Sequence, residues 1–526
     1  MADNPFASLL TANTSRARTR SPSYDPATPS GKDADFDLSK EGQREIDGAP
    51  NADKAAKSDD VSAADYDPVV DRKRDEERET RRLQNPAVST SEQGLAEGVG
   101  EPATRLTANP LEHAEAESDF EEVEVDDEDD DDDMFAVSSE AKKKKIVRVK
   151  KSKTSNGQEV AASQFKDALP SHGGLTDNWD DSEGYYRIVL GEKIGPMGRF
   201  HVFANLGKGM FSEVVRAKDL GEDGKGSGDK EVAIKIVRSQ ETMYKAGLKE
   251  IGILKKLSSL DPEDKRHVVR LTSHFEHRGH LCMVFESLSM NLREVVKRFG
   301  KDVGLNLRAV RAYAHQMFLS LALMKKAEVM HADIKPDNIL VNEAKTMLKI
   351  CDLGSASDLT EMEITPYLVS RFYRAPEIIL GQPYDCSLDM WSIGCTLYEL
   401  YTGKILFPGR SNNQMLLLMQ ELKGRLTTRQ IKKGKFSSQH FDESNAFLSR
   451  EMDKNTGSET VRKVVLSTSP NNDLRSRLLS SSVVRGLTED ELRLTQHFVD
   501  LLGKTLELDP ARRITPNEAL KHPFLN

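Results

Sequence analysis

Apolar residues in a core-forming pattern occupy only roughly the last two-thirds of this 526-residue chain. From Met1 to about Pro170 no helical or alternating apolar pattern is sustained, and Ser, Thr, Ala, Asp, Glu and Pro dominate. Apolar groups this sparse cannot offset the entropy lost on ordering the backbone. Residues 1–180 are therefore expected to form a disordered acidic tail, with a transient helix around Asp71–Leu83. Charge divides at the same place. Through Asp180 there are 41 acidic and 24 basic residues, a net −17, whereas the remainder carries +7. The low hydrophobic fraction, 37% for the whole chain, thus belongs mainly to the tail, and the rest has an ordinary core.

Several classes are excluded by composition. No run approaches the roughly 18–20 apolar residues that span a bilayer, and the start, Met1-Ala-Asp-Asn-Pro-Phe, lacks the order of a secretory signal. The four cysteines, Cys282, Cys351, Cys386 and Cys395, form no C-x-x-C pair, so neither a disulfide framework nor a zinc site is expected. Two charge blocks stand out in the tail. Glu117–Asp133 is nearly all acidic, and residues 142–153 hold eight basic residues. The acidic block reads first as solvated, self-repelling chain. The basic block reads as a nuclear-import signal or a nucleic-acid contact, and the two blocks could also pair and mask each other. Net acidity and the lack of interleaved aromatics argue against an RNA-binding tail.

From about Tyr185 the texture changes. Tyr185–Leu190 and Arg199–Ala204 alternate like strands. Then comes Leu206-Gly207-Lys208-Gly209-Met210-Phe211-Ser212-Glu213-Val214, with two glycines placed to let a hairpin backbone approach phosphate oxygens. Ser212 stands where a third glycine would complete G-x-G-x-x-G, and alone this signature would fit any glycine turn. Val232-Ala233-Ile234-Lys235 follows, a strand ending in one lysine. In Lys249–Leu257, Glu250, Ile253, Leu254 and Leu257 share one helix face. A carboxylate on an apolar face needs a buried partner, and Lys235 is the obvious one. His331-Ala-Asp-Ile-Lys-Pro-Asp-Asn338 and Cys351-Asp-Leu-Gly354 complete the series.

In this order the motifs resemble those of eukaryotic protein kinases from about Tyr185 to Phe524. The resemblance implies an α+β bilobal kinase fold preceded by the long disordered tail. The β-rich N-lobe would span about 185–286 and the helical C-lobe about 289–526. ATP would lie between them, with Phe285 as gatekeeper and backbone groups of Glu286 and Leu288 on adenine. Leu206, Val214, Ala233 and Leu340 would sandwich the ring, and Lys235, braced by Glu250, would reach the α- and β-phosphates. Asp333 would accept or orient the acceptor hydroxyl proton and Lys335 would neutralise γ-phosphate charge. Asn338 and Asp352 would ligate Mg²⁺.

Ser370-Arg-Phe-Tyr-Arg-Ala-Pro-Glu377 and an insert at about 410–490 resemble the CMGC group. Within it, Met330–Glu343, Ile364–Arg374 and Asp389–Gly409 are similar to the Prp-four pre-mRNA-processing kinases. This resemblance implies a nuclear, monomeric serine/threonine kinase acting on splicing factors, with no direct nucleic-acid or membrane binding. Ala332 replaces the arginine that usually grips a phosphorylated activation loop, so Arg371 and Arg374 are expected to hold a phosphate on Tyr367 instead. Glu377 is expected to pair with Arg513, and Asp389 to bond the catalytic-loop backbone. A pseudokinase scaffold and a CMGC kinase of the dual-specificity tyrosine-regulated branch remain open as alternatives.

Overall fold

The structure is a computed structural model and describes residues 37–40, 61–63, 66, 73, 120–125, 145–150, 179–222, 230–300, 303–359, 367–452, 459–470 and 472–526. The chain divides into two units, Ala87–Asp177 and the remainder. In the first, Phe120–Val125 pairs antiparallel with Lys145–Lys150, with Glu122 opposite Arg148 and Val123 opposite Val147. The first half of the acidic block and the middle of the basic block are thus joined in one ladder. Both segments mix β-branched or aromatic residues with charged ones, a composition that suits a two-stranded ribbon. Residues 142–144 and 151–153 of the basic block lie outside the described residues. Of the expected helix at 71–83 only Lys73 is described, in helical conformation.

In the second unit the N-lobe is an antiparallel sheet of β1 (Lys193–Ile194), β2 (Phe200–Lys208), β3 (Ser212–Asp219), β4 (Lys230–Val237), β5 (Leu271–His277) and β6 (His280–Glu286). Its strand order is β1-β2-β3-β4-β6-β5. Val215 and Ala217 of β3 and Val232, Ile234 and Ile236 of β4 are buried at alternate positions, as a half-covered sheet requires. Helix α1 (Glu241–Leu260) buries Glu250, Ile253, Leu254 and Leu257 together, the face anticipated from their spacing. It sits close to β6, since a Cβ on Gly247 would meet Leu281 Cδ2 at 2.8 Å. The strand expected at 185–190 is not formed. Only an isolated bridge joins Asp180 to Tyr186, because Tyr185 and Tyr186 are both buried in neighbouring positions instead of alternating.

The C-lobe contains α2 (Leu292–Val295), α3 (Leu307–Lys326), β7 (Val329–Met330), β8 (Ile339–Val341), β9 (Leu348–Ile350), β10 (Ser357–Asp358), α4 (Pro376–Leu380) and α5 (Ser387–Thr402). Helix α5 is buried over most of its length, and Trp391 stacks on Phe407 with centroids 5.6 Å apart. After it come α6 (Asn412–Lys423), α7 (Thr428–Lys433), the hairpin β11 (Phe447–Met452) and β12 (Glu459–Val464), α8 (Leu474–Leu478), α9 (Ser481–Gly486), α10 (Glu489–Thr505) and α11 (Pro516–Ala519). No helix among the described residues is long and apolar enough to cross a membrane. Two short pieces of the tail also pack here, a departure from the expectation of disorder throughout 1–180. Leu38 and Ala63 are buried in the C-lobe core.

The pairing of Glu377 with Arg513 is as expected. Nη1–Oε1 is 2.7 Å and Nη2–Oε2 is 3.0 Å, with both side chains fully buried. Arg513 also donates to the carbonyls of Ser387 and Glu507, so the guanidinium is well satisfied. Arg513→Ala leaves a buried carboxylate without its cation. It is expected to lower unfolding stability by about 3–5 kcal/mol, read as a lower urea midpoint. An unchanged midpoint would remove the pair as a brace of the lobe.

Candidate active site

The β2–β3 hairpin carries the glycine run. Gly207 lies opposite Val214 and Lys208 opposite Glu213. Leu206 through Gly209 are exposed, Ser212 is buried, and Met210, Phe211, Glu213 and Val214 lie between these extremes. A Cβ on Gly207 would meet nothing within 4 Å, so the backbone there borders open space. The hairpin tip is tied down by residues that the motif pattern does not include. Tyr185 donates its hydroxyl to Gly209 O at 2.8 Å and Met210 O at 2.9 Å, and Arg238 Nη1 donates to Met210 O at 3.0 Å. Lys208 Nζ lies 3.7 Å from the Tyr185 ring centroid and 3.0 Å from Asp181 Oδ2.

Lys235 sits on β4 opposite Val214 of β3 and Met283 of β6. Its amine lies 2.9 Å from both carboxylate oxygens of Glu250 and 2.9 Å from Asp352 Oδ1. Burial works against the charged amine, but Asp352 and Glu250 together outweigh it and hold the lysine pKa above its usual value. The same amine is the main reason that the Asp352 carboxyl stays far below the usual carboxylate range. Ala233 lies on the same strand opposite Phe285, and Leu340 bridges Asn291 just past the interlobe segment. Glu286 accepts through its side chain from Arg270 N at 3.0 Å and from the buried Lys349 Nζ at 2.6 Å. The carbonyl of Leu288 accepts from Arg216 Nη2 at 3.2 Å.

Asp333 is buried at the centre of a polar bracket. Its Oδ2 accepts from Lys335 Nζ at 2.9 Å and Asn338 Nδ2 at 3.1 Å. Its Oδ1 accepts from Ser370 Oγ at 2.6 Å, and Lys335 Nζ also donates to Ser370 Oγ at 2.9 Å. From α5, Asp389 accepts from His331 N at 2.9 Å and Ala332 N at 3.0 Å, which holds Ala332 at φ 60°. Cys351 N donates to Asn338 O at 2.9 Å, so the segment bearing Asp352 is fastened to the catalytic loop. Because Asn338 uses its Nδ2 on Asp333, its amide oxygen is the group left to face a cation. Among the described residues no cluster of three or more His, Cys, Asp or Glu could hold a metal. One carboxylate and one amide oxygen fit a divalent ion whose other ligands are phosphate and water.

In the activation segment, residues 360–366, including Ile364 and Thr365, lie outside the described residues. Arg374 donates through Nε to Leu368 O and Val369 O, through Nη1 to Asn412 Oδ1 at 2.6 Å, and through Nη2 to Tyr367 O and Val369 O. In the unphosphorylated chain its donors thus grip the backbone of 367–369, and its guanidinium lies 5.5 Å from the Tyr367 ring centroid. Val369 stands at φ 69°, and its carbonyl is turned to the guanidinium. Arg371 is buried, and burial followed by the nearby Arg374 pushes its pKa down to about 10.

Sequence reasoning also missed Ser370 and Arg293. Arg293 binds Asp337 through Nε at 2.9 Å and Nη2 at 3.0 Å, Glu399 through Nη1 at 2.7 Å, and the Tyr373 hydroxyl at 2.7 Å. Four residues so distant along the chain leave no local signature. Ser370 was visible only as the first residue of a longer run.

Residues 200–525 match the protein kinase domain family. The chain is 52% identical over 376 residues to serine/threonine-protein kinase prp4 of Schizosaccharomyces pombe, covering 72% of this chain and 75% of that protein. It is 47% identical over 354 residues to serine/threonine-protein kinase prpf4B of Dictyostelium discoideum, covering 67% of this chain and 42% of that one. To the dual specificity tyrosine-phosphorylation-regulated kinase mbk-2 of Caenorhabditis elegans it is 35% identical over 356 residues, covering 67% and 42%. The chain belongs to the protein kinases, in the prp4 family of ATP-dependent serine/threonine kinases.

Proposed function

We propose that this kinase phosphorylates serine and threonine residues of pre-mRNA splicing factors in the nucleus, with Mg²⁺-ATP as phosphate donor. The observation that carries the chemistry is the bracket around Asp333 formed by Lys335, Asn338 and Ser370. An acceptor hydroxyl within hydrogen-bond reach of this carboxylate is oriented for attack and can pass it a proton. Lys335, 2.9 Å from Asp333, offsets charge on the transferring phosphoryl group. Lys235, fixed by Glu250, faces the α- and β-phosphates under the 206–214 hairpin, and Asp352 with Asn338 holds Mg²⁺. The ion supplies charge neutralisation at the phosphates. Leu206, Val214, Ala233 and Leu340 enclose the adenine, which takes its polar contacts from the backbone at Glu286 and Leu288.

The splicing part of this reading draws on the 52% identity to the kinase named prp4 and on the catalytic-loop and activation-segment runs quoted above. The basic block at 142–153 supports nuclear import, and the kinase domain acts as a monomer on protein substrates. A second reading, a dual-specificity tyrosine-regulated kinase acting outside splicing, draws on the lower identity to mbk-2.

Asp333→Asn is expected to lower transfer from γ-labelled ATP to spliceosomal protein fractions by roughly a hundredfold or more. Equal labelling by the two chains would refute the catalytic assignment. Labelling confined to proteins outside those fractions would refute the splicing reading alone. Arg374→Lys cannot reproduce the fan of bonds to three carbonyls and Asn412. It is expected to cost about 2 kcal/mol of unfolding stability, and to lower activity even where Tyr367 is already Phe. Were Arg374 only a phosphate receptor, the lysine variant would be silent in that Tyr367→Phe background.

A further inference from the structure

Two short pieces of the tail lie against the C-lobe, and one of them reaches the substrate side of Asp333. Val61–Ala63 runs antiparallel to the segment that follows α5. Ser62 bridges Lys404, Ala63 N donates to Gly403 O at 3.0 Å, and Ile405 N donates to Val61 O at 3.2 Å. Ala63 is fully buried, and its carbonyl accepts from Arg293 Nη1 at 2.9 Å. Further along, the Tyr66 ring lies 4.8 Å from the Phe372 ring, centroid to centroid, and 4.9 Å from the Arg293 guanidinium. The other piece acts as an anchor. Leu38 is buried and accepts from Asn306 N at 3.0 Å, while Lys40 Nζ donates to Val303 O at 2.8 Å and Tyr401 O at 2.5 Å.

The place that Tyr66 occupies matters because of its two supports. Phe372 is two residues beyond Ser370, whose hydroxyl bonds Asp333 at 2.6 Å. Arg293 is bound to Asp337, four residues beyond Asp333 in the catalytic loop. Tyr66 therefore bridges the two stretches of chain that leave the catalytic carboxylate. Burial first, and then the Asp337 carboxylate, hold the Tyr66 hydroxyl above its usual pKa. An extended peptide advances about 3.3 Å per residue, so one that delivers a hydroxyl to Asp333 must cross this neighbourhood within a few residues of its acceptor.

We propose that Val61–Ala63, together with Tyr66, act in cis as a peptide that binds the substrate groove of the C-lobe, by strand addition at 61–63, in competition with protein substrates. Main-chain bonds along Gly403–Ile405 supply the attachment, while the small pocket for Ala63 and the aromatic platform for Tyr66 supply selectivity. Tethering to the same chain keeps the local concentration of the segment high. A groove that is open one-tenth of the time raises the apparent KM for an acceptor about tenfold, with no change in the chemistry. The inference rests on the kinase assignment and not on the splicing reading.

The test compares three full-length chains: the unaltered chain, Ala63→Arg and Tyr66→Ala. The first substitution is too large for its enclosed site, and the second removes the ring from its platform. Both lie outside the catalytic machinery. With saturating ATP and an acceptor peptide chosen from a serine/threonine library, KM for the acceptor is expected to fall by about three- to tenfold in both variants. The KM for ATP and kcat should stay unchanged. A synthetic peptide of residues 58–68, Ser-Asp-Asp-Val-Ser-Ala-Ala-Asp-Tyr-Asp-Pro, added to the Ala63→Arg chain should inhibit competitively against acceptor and not against ATP. An unchanged or higher acceptor KM in both variants would overturn the proposal. So would a lower kcat with a lower melting temperature at unchanged KM, which would mark the segment as a structural brace.

Discussion

One amine, that of Lys235, ties three separate elements to a single point. It belongs to β4, it is gripped by Glu250 of α1, and it is bonded to Asp352 in the segment that follows β9. Burying an ammonium group costs several kcal/mol unless its partners are close and well aligned. Here two carboxylates meet it, so helix angle, strand position and the conformation of residues 351–354 are fixed by one charge balance. If α1 rotated, Lys235 would lose Glu250. If the segment at Asp352 moved away, the amine would lose its second anion. The site is thus assembled by the same interaction that holds the lobes in register.

A second pattern surrounds Asp333. Three residues with side chains, Ala332, Asp352 and Val369, adopt left-handed backbone at φ 60°, 59° and 69°. Such conformations cost of order 1–3 kcal/mol each and persist only where neighbours impose them. The neighbours can be named. Asp389 takes the N–H of Ala332, Lys235 holds the Asp352 carboxylate, and Arg374 holds the Val369 carbonyl. Each is itself a charged group with several bonds, so backbone strain is concentrated where polar restraint is densest.

These restraints explain what could be read from the sequence. Motifs such as Val232–Lys235, His331–Asn338 and Cys351–Gly354 are local, because each presents its chemistry within a few residues of one turn or strand end. The face of α1 was legible for the same reason, since Glu250 and its apolar neighbours obey a single helical period. Pairings between distant acids and bases were legible only where resemblance supplied them, as with Glu377 and Arg513. Tyr185, Ser370 and Arg293 were not legible, because their roles depend on which loops the fold brings side by side. The backbone role of Arg374 was not legible for a related reason: the three-dimensional path of 367–369 supplies four carbonyl contacts to its guanidinium, and Asn412 supplies a fifth. The short run Val61–Ala63 is attached mostly through main-chain groups, which neither composition nor periodicity registers.

The seam behind the cleft sets how the enzyme can move. Val268, just before β5, bridges Ile350 of β9, and backbone bonds of 2.9 Å run from Val269 N to Ile350 O and from Ile350 N to His267 O. Beside them, Lys349 of β9 is almost wholly enclosed and is shared between Asp264 and Glu286, 2.6 Å from each. Pulling the lobes directly apart would break this seam and strand a buried cation, whereas turning one lobe about it keeps the seam and strains instead the Lys235–Asp352 contact. The motion open to the molecule is that of a lever with its fulcrum at Lys349. Displacement grows with distance from that point, so the 206–214 hairpin, carried by β2 and β3 beyond β4 in the sheet order, travels farther than Glu286 at the end of β6.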